Sequence, residues 1–333
     1  MAGEEYIFKI FPRRLRELLE RSGADPGEIQ ELRLRAGRPL FIICGETELA
    51  LSAGGRLVHP AGGCPKEGLF IVERECIEET VELMSRFSLY AAQEELRQGF
   101  FTIQGGHRVG VAGRVMAENG TVRVMRSISF LNVRVAHEKK GCADRVMPFL
   151  YGRDGHFYST LIISPPRRGK TTLLRDIIRQ ASDGCQAGPG GTWIPGMSVG
   201  VVDERSELGA CWEGHPQNDL GMRTDVLDCC PKSQGMMMLV RSMSPSLIAV
   251  DEIGGEEDAG AAEYAGSCGC ALAASAHGRS LEEVRGKRGL GRLLEEGIFE
   301  RLVLLAGEGR VGRIEGIYDG EGRAVGLGRR GST

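Results

Sequence analysis

The sequence predicts an α/β protein in which a core built on a parallel sheet follows a smaller α+β domain. Three observations predict it. An apolar run, Leu161-Ile162-Ile163, leads through a tight loop into a segment where Leu173, Leu174, Ile177 and Ile178 recur at helical period, so the order is strand, loop, helix. Three further runs, Val199-Gly200-Val201-Val202, Leu247-Ile248-Ala249-Val250 and Ala271-Leu272-Ala273-Ala274-Ser275, are apolar on both faces, as strands of a buried parallel sheet are. Residues 1–140 instead alternate short strand-like and helix-like stretches, the pattern of a mixed domain. A connecting helix and turn is expected over residues 141–157, with the core occupying 158–333.

Taken in order, Tyr6-Ile7-Phe8 reads as a short strand, and Leu15, Leu18 and Leu19 share one face of a following helix. Asp25-Pro26 is a helix-start pair. Ile29, Leu32 and Leu34 lead into a turn at Arg35-Ala36-Gly37-Arg38-Pro39, and Leu40-Phe41-Ile42-Ile43 and Glu48-Leu49-Ala50-Leu51 read as strands. Ile77, Val81 and Met84 mark a helix, and Ser88 is placed to cap a second one running through Glu95. Gly99 to Gly113 reads as two strands joined at Gly105-Gly106, with His107 a turn residue. Gly110-Val111-Ala112-Gly113 has the form of an RNA-binding clamp loop, although four residues alone specify little. Arg108, Arg114, Arg123, Arg126 and Arg134 lie on strand-like segments and read as solvated sheet faces, the alternative being that one or two reach a nucleotide. In the second domain, residues 183–196 read as an irregular surface loop, and Trp212, His215 and Asn218 fall in a long loop between strand and helix.

The chemistry sits at the strand ends. Gly169-Lys170-Thr171 between a strand and a helix makes a phosphate cradle, because backbone N–H groups and the helix N-terminus favour an anion. Ser164, Pro165, Pro166, Arg167, Arg168, Gly169, Lys170, Thr171 and Thr172 are its candidate residues, with Ser164 standing where the full pattern has glycine. Lys170 supplies a point charge for the β- and γ-phosphates, and Thr171 offers a hard oxygen to Mg²⁺. Asp203-Glu204, Asp251-Glu252 and His277 each follow an apolar strand, at the edge where ligands of open α/β sheets sit. Asp251 is the expected magnesium partner. Glu204, then Glu252, are the candidates for orienting water, and His277 for sensing the γ-phosphate. Arg223 and Arg241 are candidates for phosphate contact from a neighbouring subunit. The implied cofactors are ATP and Mg²⁺.

Composition narrows the class. In 333 residues, 41% are hydrophobic and 26% charged, the make-up of a globular protein. A net charge of −3 argues against wholesale attraction to nucleic acid or a membrane surface. The start, Met1-Ala2-Gly3-Glu4-Glu5, is acidic and unlike a signal peptide, and no apolar run approaches the ~20 residues of a membrane span. The expectation is a cytoplasmic protein that meets a membrane through a partner. Ten cysteines, including Cys229-Cys230 and Cys268-Gly269-Cys270, lack facing Cys-x-x-Cys units, so reduced thiols are expected in place of zinc or disulfides.

The combination resembles a known family. Ser-Pro-Pro-x-x-Gly-Lys-Thr-Thr-Leu-Leu-Arg-Asp over 164–176, Val-Val-Asp-Glu-Arg-Ser-Glu-Leu over 201–208 and Met-Arg-Thr-Asp-Val-Leu-Asp over 222–228 resemble the stage III sporulation protein AA family. So do Met-Met-Met-Leu-Val-Arg-Ser-Met-Ser-Pro over 236–245, Val-Asp-Glu-Ile-Gly over 250–254 and Gly-Gly-His-Arg-Val-Gly-Val-Ala-Gly over 105–113. Ser164 is usual there, whereas Arg167-Arg168 replaces small residues. The family is similar to traffic ATPases of type II and IV secretion systems. The resemblance implies a RecA-like P-loop core, a smaller N-terminal domain and a homo-oligomeric, hexameric ring. By that analogy Asp203-Glu204 is the acidic box, Asp251-Glu252 ends the Walker B strand and His277 is the histidine box. It also implies a mother-cell ATPase docked on an inner-membrane protein, energising a channel between mother cell and forespore. Two other functions are compatible with the residues: a nucleotide-binding scaffold with little hydrolysis, and a RecA-like nucleic-acid motor, against which the charge balance speaks.

Overall fold

Hydrophobic alternation shapes the first of two units into which the chain divides, Met1–His137 with Ala210–Gln217. The computed structural model describes residues 4–60, 68–85, 99–118 and 121–326. The expected helix from Ser88 to Glu95 lies outside them. The opening stretch is a 3₁₀ turn over Glu4–Ile10 where a strand was expected, because Ile7, Ile10 and Phe11 all turn inward toward one core. Helix α1 (Arg13–Arg21) buries Leu15, Leu18 and Leu19 on that core. Asp25 starts no helix. Its Oδ1 accepts from Gly27 N–H at 2.9 Å, and this Asx turn launches strand β1 (Ile29–Arg35). Strands β2 (Phe41–Cys44), β3 (Thr47–Leu51) and β4 (Leu57–Val58), helix α2 (Arg74–Met84) and strands β5 (Phe100–Ile103), β6 (His107–Glu118) and β7 (Thr121–Arg134) follow, and Arg38–Pro39, expected as part of a turn, pairs antiparallel with Ile71–Val72 in a separate small ladder. The sheet is antiparallel, in the order β4-β3-β2-β1-β7-β6-β5.

Gly105 and Gly106, at φ +88° and +75°, make the β5–β6 turn, where L side chains are strained. His107 belongs to β6 and is fully buried, its Nδ1 accepting from Ala136 N–H at 3.1 Å. Gly110 to Gly113 is strand and not a loop, which removes the clamp-loop reading. Gly113 marks a register shift at which a Cβ would lie 2.6 Å from the Ser127 carbonyl oxygen. Arg108 stacks on Phe100 at 3.6 Å, Arg134 faces Glu31 at 3.6 Å and Arg114 is exposed. The side chains of Arg123 and Arg126 lie outside the described set. Residues 210–217, read from sequence as part of the second domain, group with this unit. Gln217 Oε1 accepts from Gly105 N–H at 2.8 Å, and Trp212 and His215 exchange backbone hydrogen bonds of 2.9 Å.

The second unit is Glu138–Gly209 with Asn218–Thr333. Its elements are β8 (Thr160–Ser164), α3 (Lys170–Asp183), β9 (Val199–Asp203), β10 (Thr224–Asp228), α4 (Lys232–Ser242), β11 (Leu247–Val250), α5 (Glu256–Ser267), β12 (Ala271–His277), α6 (Leu281–Arg285), α7 (Arg288–Glu295), β13 (Arg301–Leu305), β14 (Ile314–Asp319) and β15 (Ala324–Gly326). The sheet order is β10-β9-β11-β12-β8-β13-β14-β15, parallel from β10 to β13 and antiparallel beyond. Leu173, Leu174, Ile177 and Ile178 of α3 pack with Ile162, Val201 and Val303 on one face, while residues of α4, α5 and α7 pack with Leu161, Ile163 and Val250 on the other. Each such buried aliphatic side chain contributes about 1.5–3 kcal/mol. Because β8, β9, β11 and β12 are parallel and buried on both faces, all four deliver their carboxyl ends to one edge.

Two expectations are amended. Residues 141–157 form turns with one short 3₁₀ segment, Met147–Phe149, and no α-helix. The loop over 183–196 carries a small ladder, Gly184–Cys185 against Ile194–Pro195. Among the described residues every cysteine is a free thiol, and no helix is long and apolar enough to cross a membrane.

Candidate functional site

Ser164 ends β8 and is fully buried, its hydroxyl bonded to the Pro165 carbonyl at 2.8 Å. Two residues then bend the chain: Arg167 at φ +61° and Gly169 at φ +90°. A left-handed Arg costs about 1 kcal/mol, so the turn is held by its surroundings. The bend lets α3 begin at Lys170, with the backbone N–H groups of its first turn unpaired within the helix. Lys170 is buried and Thr171 half-buried at this end, while Pro166 and Arg167 are exposed.

The site forms where that helix end meets β11 and β12. Thr171 Oγ1 donates to Asp251 Oδ2 at 2.9 Å. Lys170 Nζ lies 3.5 Å from Asp251 Oδ1 and 3.6 Å from Glu252 Oε2. His277 Nε2 lies 3.2 Å from Glu252 Oε1, and its Nδ1 is buried with no hydrogen-bond partner among the described residues. Ser275 was not singled out from sequence, yet it joins the two acids. Its hydroxyl donates to Asp251 Oδ1 at 2.5 Å and accepts from Glu252 N–H at 3.0 Å. The available signal was a lone hydroxyl near the end of the alanine-rich strand β12. Glu252 itself sits at φ +57°.

The β9 end differs. Asp203 is buried, and its two oxygens accept from the N–H groups of Glu207, Leu208 and Gly209 at 2.8, 2.9 and 2.7 Å. Burial pushes its carboxyl above the usual 3.8, with the three N–H bonds opposing. Arg175 of α3 donates to the carbonyls of Leu208 at 2.8 Å and Glu207 at 2.6 Å, fixing the same loop. Glu204 pairs with Lys232. A cavity of about 280 Å³ is lined by Asp203, Glu204, Lys232, Asp251 and Glu252, so the carboxylates expected at one edge line one space. Arg223 is engaged within the unit, donating to the Ser182 carbonyl at 2.9 Å, and Arg241 is exposed.

The residues fit a magnesium ion that arrives with phosphate. A hydroxyl and a carboxylate stand side by side as hard oxygen donors. Among the described residues no group of three His, Cys, Asp or Glu side chains forms an ion-holding cluster, so the remaining donors must come from elsewhere.

Comparison with known sequences places the chain. The profile described as "Sporulation stage III, protein AA" matches residues 1–325. The chain belongs to the stage III sporulation protein AA family. Within that family, Stage III sporulation protein AA of Bacillus subtilis is 41% identical over 298 residues, covering 90% of this chain and 89% of that protein. Protein SEEDLING PLASTID DEVELOPMENT 1 of Arabidopsis thaliana is 30% identical over 156 residues, 46% of this chain and 21% of that protein. Among solved structures, the pilus retraction motor PilT with bound ADP is similar at a TM-score of 0.51 and 14% identity, covering 86% of this chain and 77% of that one. The fold is a RecA-like P-loop core with a smaller α+β domain before it.

Proposed function

We propose that this chain is a Mg²⁺-dependent ATPase of sporulation. The observation that carries the reading is the convergence of Lys170, Thr171, Asp251 and Glu252 at one helix N-terminus. Lys170 and the first-turn N–H groups bind the β- and γ-phosphates, with Ser164 to Thr172 forming the cradle. Thr171 and Asp251 hold the metal, and Ser275 keeps Asp251 in place. When bound, Mg²⁺ neutralises charge that develops on the phosphate oxygens. Glu252 accepts a hydrogen bond from the attacking water and orients it, and His277 fixes the Glu252 carboxylate. Glu204, the first candidate from sequence, lines a cavity together with Glu252 but is paired with Lys232, and it stands as the alternative for that water.

At the level of the cell, the family resemblance supports a homo-oligomer, in the form of a hexameric ring, on the mother-cell side. There it docks on an inner-membrane protein and powers a channel to the forespore. PilT, the structural relative, is a motor by its name and binds ADP. The test is phosphate release from the purified full chain with ATP and Mg²⁺. Wild type turns over, and Lys170→Ala loses turnover by about a hundred-fold or more. A Lys170→Ala chain hydrolysing ATP at the wild-type rate would overturn the reading.

A further inference from the structure

Strand order assigns a direction to the ligand. The carboxylates and His277 lie on the β11 and β12 side of β8, so the γ-phosphate end of a triphosphate points that way. The other neighbour of β8 is β13. The nucleoside therefore extends toward β13 and the loop that follows it.

That loop, residues 306–313, is already fastened to the phosphate loop. It is pinched at its base by Ala306 N–H on the Arg313 carbonyl at 2.9 Å. Gly312 N–H donates to the Arg168 carbonyl at 3.0 Å, and Arg168 Nη1 donates to the Gly309 carbonyl at 3.0 Å. A Cβ on Gly169 would lie 3.3 Å from Val311 Cγ1, and one on Gly307 would lie 3.6 Å from Pro165 Cγ. Gly309 and Gly312, both at φ +80°, let the backbone turn twice within this short span. Val311 stands at the crest as an apolar side chain 59% exposed, beside the start of α3. Arg168, within the phosphate loop, thus reaches the Gly309 carbonyl of this loop.

We infer that the loop over 306–313 is the nucleoside flap of the site, with Val311 as the apolar contact for the base or sugar and Arg168 as the latch that holds the flap to the phosphate loop. This rests on the nucleotide reading above. It adds a specificity element: the flap discriminates a nucleoside triphosphate from a bare polyphosphate, and its release sets how fast nucleotide leaves. Apolar contact with the ligand comes from Val311, whereas charge for the phosphates comes from Lys170.

Equilibrium binding of the full chain to Mg-ATP and to Mg-bound inorganic triphosphate tests it. Wild type binds ATP more tightly than inorganic triphosphate. Val311→Asp weakens ATP binding by about ten-fold and leaves inorganic triphosphate within about two-fold, while Val311→Leu retains both. Arg168→Ala speeds release of a fluorescent ATP analogue several-fold. Retained inorganic triphosphate binding establishes that the Val311→Asp chain is folded. If Val311→Asp weakens both ligands equally, or neither, the flap assignment falls while the nucleotide reading stands. An unchanged release rate in Arg168→Ala overturns the latch. A wild-type chain that binds neither ligand sinks the nucleotide reading, and the flap with it.

Discussion

Two strand ends in this protein are near copies in sequence and opposites in structure. Val201-Val202-Asp203-Glu204 and Ala249-Val250-Asp251-Glu252 each close a buried parallel strand on an Asp-Glu pair, and both pairs line one cavity. Asp203 gives its oxygens to three backbone N–H groups and holds a loop. The described partners of Asp251 are side chains, Thr171, Lys170 and Ser275. Side-chain partners can be exchanged for a ligand without unravelling the backbone. Backbone partners cannot, because each orphaned buried N–H costs about 1–3 kcal/mol. The lesson is that an acid past a strand end becomes a ligand-binding group only where its neighbours leave it exchangeable.

The largest expected contrast follows directly. Asp251→Asn lowers turnover by about a hundred-fold or more while urea unfolding stays close to wild type, because a site group is lost and no scaffold with it. Asp203→Asn does the reverse in kind: an amide replaces one acceptor oxygen with a donor, so stability drops by about 1–3 kcal/mol. Equal stability losses in the two variants would erase the distinction.

The second Asp-Glu position sharpens it. Glu252→Gln lowers kcat by about ten- to a hundred-fold with ATP affinity retained, because Glu252 faces Lys170 and His277. Glu204→Gln lowers kcat only a few-fold, since Lys232 holds that carboxylate. Steady-state kinetics decides between them, and the inverse ranking would move the water to the β9 end.

A smaller effect appears in pH dependence. Burial raises the Asp203 carboxyl above 3.8. A raised folded value means its contribution to stability is full below 3.8 and is lost as pH rises through the folded value. Asp176 has the opposite sign. Burial works to raise it, but the Ala143 N–H at 2.8 Å and Arg179 at 2.6 Å more than reverse this and hold it below 3.8. Its contribution is present above 3.8 and is lost as pH falls through its lower folded value. In urea titrations, the gap between wild type and Asp176→Asn therefore closes on acidification, and the gap to Asp203→Asn narrows as pH rises.

The smallest effect is backbone strain. Glu252 at φ +57° and Ser206 at φ +50° both occupy left-handed conformations. Glycine at either position adds about 1 kcal/mol of stability. Only Glu252→Gly loses turnover with that gain, as measured by melting temperature and phosphate release on the same samples.

Much of this was legible in the sequence where period and apolar runs are strong. The strand-loop-helix around Lys170 and the three buried strands fall where their patterns place them, because a parallel strand buried on both faces tolerates little else. Partners at a distance were not legible. Ser275 acts through a hydroxyl that meets Asp251 only once β11 and β12 lie side by side. Asp203 and Asp251 look alike until backbone N–H groups close on one of them. Local signals also competed with tertiary ones: Asp25-Pro26 has helix-start chemistry, yet the Asx turn feeds a strand because Ile29, Leu32 and Leu34 have a sheet face to fill. Residues 210–217 carry no composition change that would mark them as joining the first unit.

The most direct test of the central claim is the equilibrium affinity of the full chain for ATP with and without Mg²⁺, in wild type and in Asp251→Asn. The expected result is that Mg²⁺ tightens wild-type binding by about ten-fold or more and that Asp251→Asn loses this gain. Affinity that ignores Mg²⁺ in wild type, or a full Mg²⁺ effect in Asp251→Asn, would contradict the assignment of Thr171 and Asp251 as the metal-holding pair.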